Sequence, residues 1–153
     1  MGEKGTRFML VATHMMAAST LCEFARSTRL YKDKPKTWRP AILLLAFASH
    51  FALDAVPHYD LGILPNGIIG ACVIAFLLYE ARKNGDVLLL AAAFLGALPD
   101  AFFFLEWDTP VDRFHYWIHF RNANPLPLFL LFIELAVVPV LGFVLARRRA
   151  TVT

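Results

Sequence analysis

Pro40-Ala-Ile-Leu-Leu-Leu-Ala-Phe-Ala-Ser-His50-Phe-Ala-Leu-Asp54-Ala-Val56 is an apolar run that carries one histidine and one aspartate. On a helix, residues four apart share a face, so His50 and Asp54 point the same way. Ionisable side chains at membrane depth are costly and as a rule functional. Imidazole and carboxylate are also groups that hold metal ions. Pro57 lets the chain turn at the end of the run, and His58 and Asp60 follow at its mouth.

Four further apolar runs flank this one: Phe8 to Ala25, Leu61 to Tyr79, Val87 to Leu105 and Leu126 to Ala146. Crossing a hydrocarbon core takes about 20 helical residues, and unpaired backbone groups are too costly there for anything but helices. A β-barrel would need alternating polar and apolar residues, and these runs are continuous. The 153 residues are 58% hydrophobic and 14% aromatic, with a mean hydropathy of +0.55, which is too apolar for a soluble domain of this size. The expected fold is an all-α integral membrane helical bundle of about five transmembrane helices plus a short interfacial helix. No linker or internal repeat divides residues 1–153, which read as a single domain.

The interfacial helix is expected between Glu106 and Asn124, where Trp107, Tyr116 and Trp117 alternate with charged residues and Thr109-Pro110 offers a helix start. The first 25 residues have the outline of a signal peptide but no Ala-x-Ala cleavage pattern, so they read as a retained helix. Cys22 and Cys72 lie in apolar sequence without a CxxC spacing and read as packing residues rather than a disulfide or thiolate site.

The formal charge of +3 does not point to nucleic acid, because the basic residues gather at the ends of apolar runs. Arg26, Arg29, Lys32, Lys34, Lys36 and Arg39, then Arg82 and Lys83, then Arg147 to Arg149 fall on one side of an alternating bundle. The positive-inside rule makes that side, and the carboxy terminus, cytoplasmic. His14, His50, His58, His115 and His119 then fall toward the outside, with Asp54, Asp60 and Asp100. His14 and His50 lie at similar depths, roughly 10 Å from their flanking loops at 1.5 Å per residue.

His115 and His119 repeat the four-residue spacing, and Asp100 follows the helix-weakening Pro99. These groups read as ligands of a divalent metal, zinc first, with manganese or iron also compatible. The candidates are His14, His50, Asp54, Asp100, His115 and His119, to which His58 and Asp60 could add ligands or outer partners, so either two ions are held or some groups only support the others. Each also has a plainer reading as a hydrogen-bonding group between helices, but independent structural uses would not need one common depth. Glu134, an acid within the last run, is left outside the site as either a bundle hydrogen bond or a proton carrier.

Ser49-His50-Phe51-Ala52-Leu53-Asp54, Leu98-Pro99-Asp100, Thr13-His14 and His115-Tyr-Trp-Ile-His119 resemble motifs of the inner-membrane metal-dependent hydrolases of bacteria and archaea, which are similar in pattern to zinc-dependent phospholipase C proteins. Here the Ser-His motif precedes the Leu-Pro-Asp motif, and the paired-histidine motif lacks the arginine usual in that family. The resemblance implies a small helical membrane protein of a prokaryotic inner membrane, with metal held by the six residues named.

These readings together predict a metal-dependent hydrolase of a phosphoester or ester, lipid-linked because the site sits near the headgroups of the outer leaflet. A catalytic ion would lower the pKa of its water to about 7. His58 and Asp60 are the expected catalytic acid and base, and Arg113 and Arg121 the expected substrate-binding cations for an anionic headgroup. The partners implied are membrane lipid and a lipid-like or phosphorylated substrate. The competing reading is a non-enzymatic membrane metal-binding protein, either a carrier or a scaffold stapled by its metal.

Overall fold

Pro35 opens the longest polar-to-apolar helix of the chain from a first-turn position, where its missing N–H costs nothing. The computed structural model describes residues 7–8, 10–56, 58–59, 61–105, 107–119 and 127–150. Seven helices follow in order: α1 (Val11–Ser27), α2 (Arg29–Asp33), α3 (Pro35–Asp54), α4 (Ile63–Asn84), α5 (Leu88–Phe104), α6 (Pro110–His119) and α7 (Phe129–Ala150). The five apolar runs are α1, α3, α4, α5 and α7, and the aromatic, charged stretch holds α6. The all-helical expectation is met.

Two features were not anticipated. The short α2 is capped by Thr28, whose Oγ1 accepts the Tyr31 N–H. A two-residue antiparallel pair, β1 (Arg7–Phe8) with β2 (Leu61–Gly62), ties the start of α1 to the start of α4. The same junction solves a capping problem. Leu10 precedes α1 and has no side chain able to cap it, so Asn66 of α4 accepts the Val11 N–H at 2.9 Å instead. At its other end α4 stops at Gly85, which takes the left-handed conformation (φ 61°, ψ 27°) that glycine adopts without penalty.

α1 is the hub, packing against α3, α4, α5 and α7. Leu10, Met16, Leu77, Leu89 and Leu145 are fully enclosed around it. Its closest neighbour is α5, and Gly96 is the reason: a Cβ there would lie 2.6 Å from the Ala18 Cβ and 2.9 Å from the His14 carbonyl oxygen. Only the missing side chain lets the two backbones meet.

Two helices, α4 and the Phe129–Arg149 part of α7, are long and apolar enough to cross a membrane. Only 28% and 11% of their apolar stretches are buried inside the protein, so they are not core helices of the soluble kind. Leu44 of α3, Leu64 of α4, Phe94 of α5 and Phe132 of α7 also point outward, each more than 60% exposed. α5 is apolar but shorter, and α1 and α3 spend part of their length on Glu23, Arg26, Lys36 and Arg39.

Candidate metal centre

Four helix segments bring their ionisable side chains to one end of the bundle. His14 comes from the first turn of α1, His50 and Asp54 from the last turns of α3, Asp100 from the last turns of α5, and His115 from α6. All five are at most 5% exposed. Gly96 contributes twice: its bare backbone admits α1, and its carbonyl accepts the His50 Nδ1–H at 2.8 Å. That bond fixes the imidazole so that Nε2 turns to the centre of the group.

The geometry there is tight. Asp54 Oδ2 lies 2.9 Å from His50 Nε2 and 3.0 Å from His115 Nε2, and the two ring nitrogens are 3.2 Å apart. Asp100 Oδ1 stands 3.8 Å from His50 Nε2 and 3.6 Å from His115 Nε2. Donor atoms about 2.0–2.1 Å from a shared ion are separated by roughly 2.9 to 3.4 Å in octahedral or tetrahedral arrangements. The spacings among His50, His115 and Asp54 fall in that range, and Asp100 stands a few tenths of an ångström beyond it. His14 lies on the far side of Asp54, with Nε2 3.2 Å from Oδ1 and its ring stacked on His50 at 4.0 Å. His14, His50 and Asp54 form one ligand-sized group and His50, Asp100 and His115 another, joined at His50. The buried His/Asp groups can hold a metal ion.

Electrostatics points the same way. Two carboxyl groups are buried here, and among the described residues no Lys or Arg pairs with either. None of the oxygens of Asp54 and Asp100 accepts a well-aligned hydrogen bond among those residues. Buried charge left in this state is expensive. A divalent cation among neutral imidazoles would cancel it.

The remaining predicted residues are placed differently. His58 joins neither ligand-sized group; it is buried in the turn after α3 and donates from Nδ1 to the Val56 carbonyl at 2.8 Å. Arg113 sits exposed on α6 and forms a two-pronged pair with Asp108 at 2.7 and 2.8 Å. That guanidinium holds the Asp108 carboxyl below the usual carboxylate range, and Asp108 raises Arg113 in turn. His119 closes α6, with its side chain outside the described residues, as are Asp60 and Arg121.

Two residues acquire roles that the sequence reading left open. Glu134 of α7 accepts the Tyr59 N–H on Oε1 at 2.8 Å, fastening the turn that carries His58. Its isolation in an apolar run was visible, but its partner is a backbone amide, which leaves no trace in a sequence. Gly96 carries no signal in the sequence beyond its small size.

A second polar cluster occupies the opposite end of the bundle. Arg149 of α7, only 6% exposed, reaches Asp86 at 2.8 Å, Glu23 at 3.5 Å and the Glu80 carbonyl at 3.1 Å. Arg26 of α1 pairs with the same Asp86 and, at 3.4 Å, with Glu23. Burial alone would raise the Asp86 carboxyl, but the Leu88 N–H and the two guanidiniums outweigh it and hold the group below its ordinary value. Arg149 is therefore a buried anchor and not only a terminal charge.

No family model, curated protein or solved structure matches this chain.

Proposed function

We propose that this chain is a membrane-embedded, metal-dependent hydrolase acting on a phosphoester or ester of a lipid. The observation that carries the reading is the triangle of His50 Nε2, His115 Nε2 and Asp54 Oδ2, three electron-pair donors 2.9 to 3.2 Å apart with no basic side chain between them. His50, His115, Asp54 and Asp100 would hold the ion, with His14 orienting Asp54 or serving a second ion beside it. Zinc fits the imidazole and carboxylate donors and the absence of a nearby thiolate, and manganese and iron fit the same set. When bound, such an ion polarises a phosphoryl or acyl oxygen and brings the pKa of water to about 7.

The protein's own groups supply the rest. His50 is held in one tautomer by Gly96. His58 is the candidate acid–base, with Nδ1 on the Val56 carbonyl, and Glu134 steadies its turn. Asp60 and Arg121 keep the roles assigned from sequence. Arg113, now paired with Asp108, can exchange that carboxylate for a phosphate of matching geometry. The motif resemblance supports the same reaction class. The outward apolar faces of α3, α4, α5 and α7 support five spanning helices, with the histidine end outside and the arginine end cytoplasmic in a prokaryotic inner membrane.

One observation favours the alternative, a membrane scaffold whose metal staples α1, α3, α5 and α6: the candidate ligands are almost wholly enclosed. Metal analysis of the purified protein, followed by turnover of a phospholipid and phosphoester panel with and without chelator, separates the two. Bound metal with chelator-sensitive turnover supports the hydrolase. Bound metal with no turnover on any substrate leaves the staple, and protein that binds no metal overturns both.

A further inference from the structure

Asp100, a candidate ligand, also faces a cavity. It lines a groove of about 430 Å³ between α4 and α5, floored by Val11 and Met15 of α1, within the roughly 300–1,000 Å³ usual for small-molecule sites. Small residues make the gap, with Gly67, Gly70 and Ala71 on α4 facing Ala97 and Ala101 on α5. Apart from Asn66 and Asp100 the lining is apolar. Asn66 is already committed to the Val11 N–H. Asp100, 5% exposed, accepts no hydrogen bond on either oxygen among the described residues, while its Oδ1 lies 3.6 Å from His115 Nε2. The groove and the candidate metal centre therefore share a wall.

Its dimensions indicate the occupant. From Ile63 to Ile74 along α4, a rise of 1.5 Å per residue gives roughly 16 Å, which is half of a hydrocarbon core of about 30 Å. We propose that this groove receives one acyl chain of a bilayer phospholipid, entering sideways from the membrane between α4 and α5 and bringing its headgroup linkage to Asp100. This deepens the lipid-hydrolase reading and rests on it for the chemistry, but chain binding itself requires no turnover. Lateral entry also explains how a centre so thoroughly buried is reached.

The test uses the full chain in phosphatidylcholine and phosphatidylglycerol vesicles doped with a phospholipid bearing a mid-chain diazirine, irradiated with and without added zinc. Adducts are mapped by mass spectrometry. They are expected to concentrate on the facing residues of α4 and α5. Gly70→Leu and, separately, Gly67→Leu should lower labelling there at least about tenfold, the scale set by blocking an apolar pocket. A Cβ at either glycine meets nothing within 4 Å, so both variants fill the groove without forcing the backbone. Ala136→Leu, on the exposed surface of α7, should leave labelling unchanged. Adducts spread over all exposed apolar faces and indifferent to both glycine substitutions overturn the proposal, as does a groove that cross-links to a second copy of the chain and not to lipid. Groove labelling in a protein that shows no hydrolysis keeps the groove and removes the hydrolase reading, so the two failures are distinguishable.

Discussion

The two ends of this bundle both gather ionisable side chains, one end wholly enclosed and the other partly exposed, and they pair them differently. At the arginine end, Arg26 and Arg149 interleave with Glu23 and Asp86, each cation meeting two acids. At the histidine end, among the described residues, Asp54 and Asp100 meet imidazoles and no Lys or Arg. The first cluster pairs its acids with the protein's own cations, and the second sets out donors that could serve a metal ion. A buried ionic group that closes on itself is an anchor; one that does not is built to take something in.

The contrast breaks most sharply at Arg149. Arg149→Ala leaves Glu23 and Asp86 to Arg26 alone and should cost about 1–3 kcal/mol of stability, read as a lower midpoint of thermal unfolding in detergent, while metal content per folded molecule is unchanged. Asp54→Asn should do the reverse. It removes the carboxylate that three histidines share, and metal affinity should fall by more than the 10–100-fold typical of losing an outer partner, measured by metal content after dialysis against a competing chelator. If both variants lost metal and stability alike, the two ends would be one structural unit and the contrast would fail.

Gly96→Ala should cost about 1–3 kcal/mol through overpacking, because the new methyl meets Ala18 and the His14 backbone. Metal affinity should drop with it, since the same shift moves His14 from Asp54. Acid should separate the ends as well. Protons compete with metal for its ligands, so any metal held at the histidine end should be released as the pH falls. Asp86 is held below its ordinary value, so its contribution is present above the unfolded carboxylate pKa of about 3.9 and is lost only as pH falls through the lower folded value. Asp86→Asn should flatten the unfolding midpoint below pH 4 without altering the pH of metal release. The smallest effect is expected at Arg113→Ala, whose exposed pair with Asp108 should leave stability unmoved; a change in hydrolysis of anionic over neutral lipid would show it touching headgroups.

Much of the histidine end was legible because its signals are local. Two pairs at four-residue spacing and one Pro-Asp inside apolar runs announced themselves, and the structure gathers His14, His50, Asp54, Asp100 and His115. The arginine end was not legible for a matching reason. Glu23, Asp86 and Arg149 are ordinary flanking charges by position, and only the packing of α7 on α1 turns Arg149 inward. The Glu134 contact with Tyr59 and the Asn66 cap on α1 escaped notice because each joins a side chain to a backbone amide distant in sequence. Helix existence could be read from apolar length. Which of the helices cross a bilayer depends on where the charged turns of α1 and α3 end up, and that is a tertiary matter.

The cap on α1 also dictates an order of assembly. Val11 waits for Asn66, 55 residues later in the chain, and the centre near it waits longer still, for His115 on α6. During synthesis, therefore, the first helix emerges with its leading end unfinished and is closed only when α4 arrives. If the centre takes a metal ion, loading would be a maturation step, and a pulse of isotope during translation should appear in the protein only after chains have passed α6.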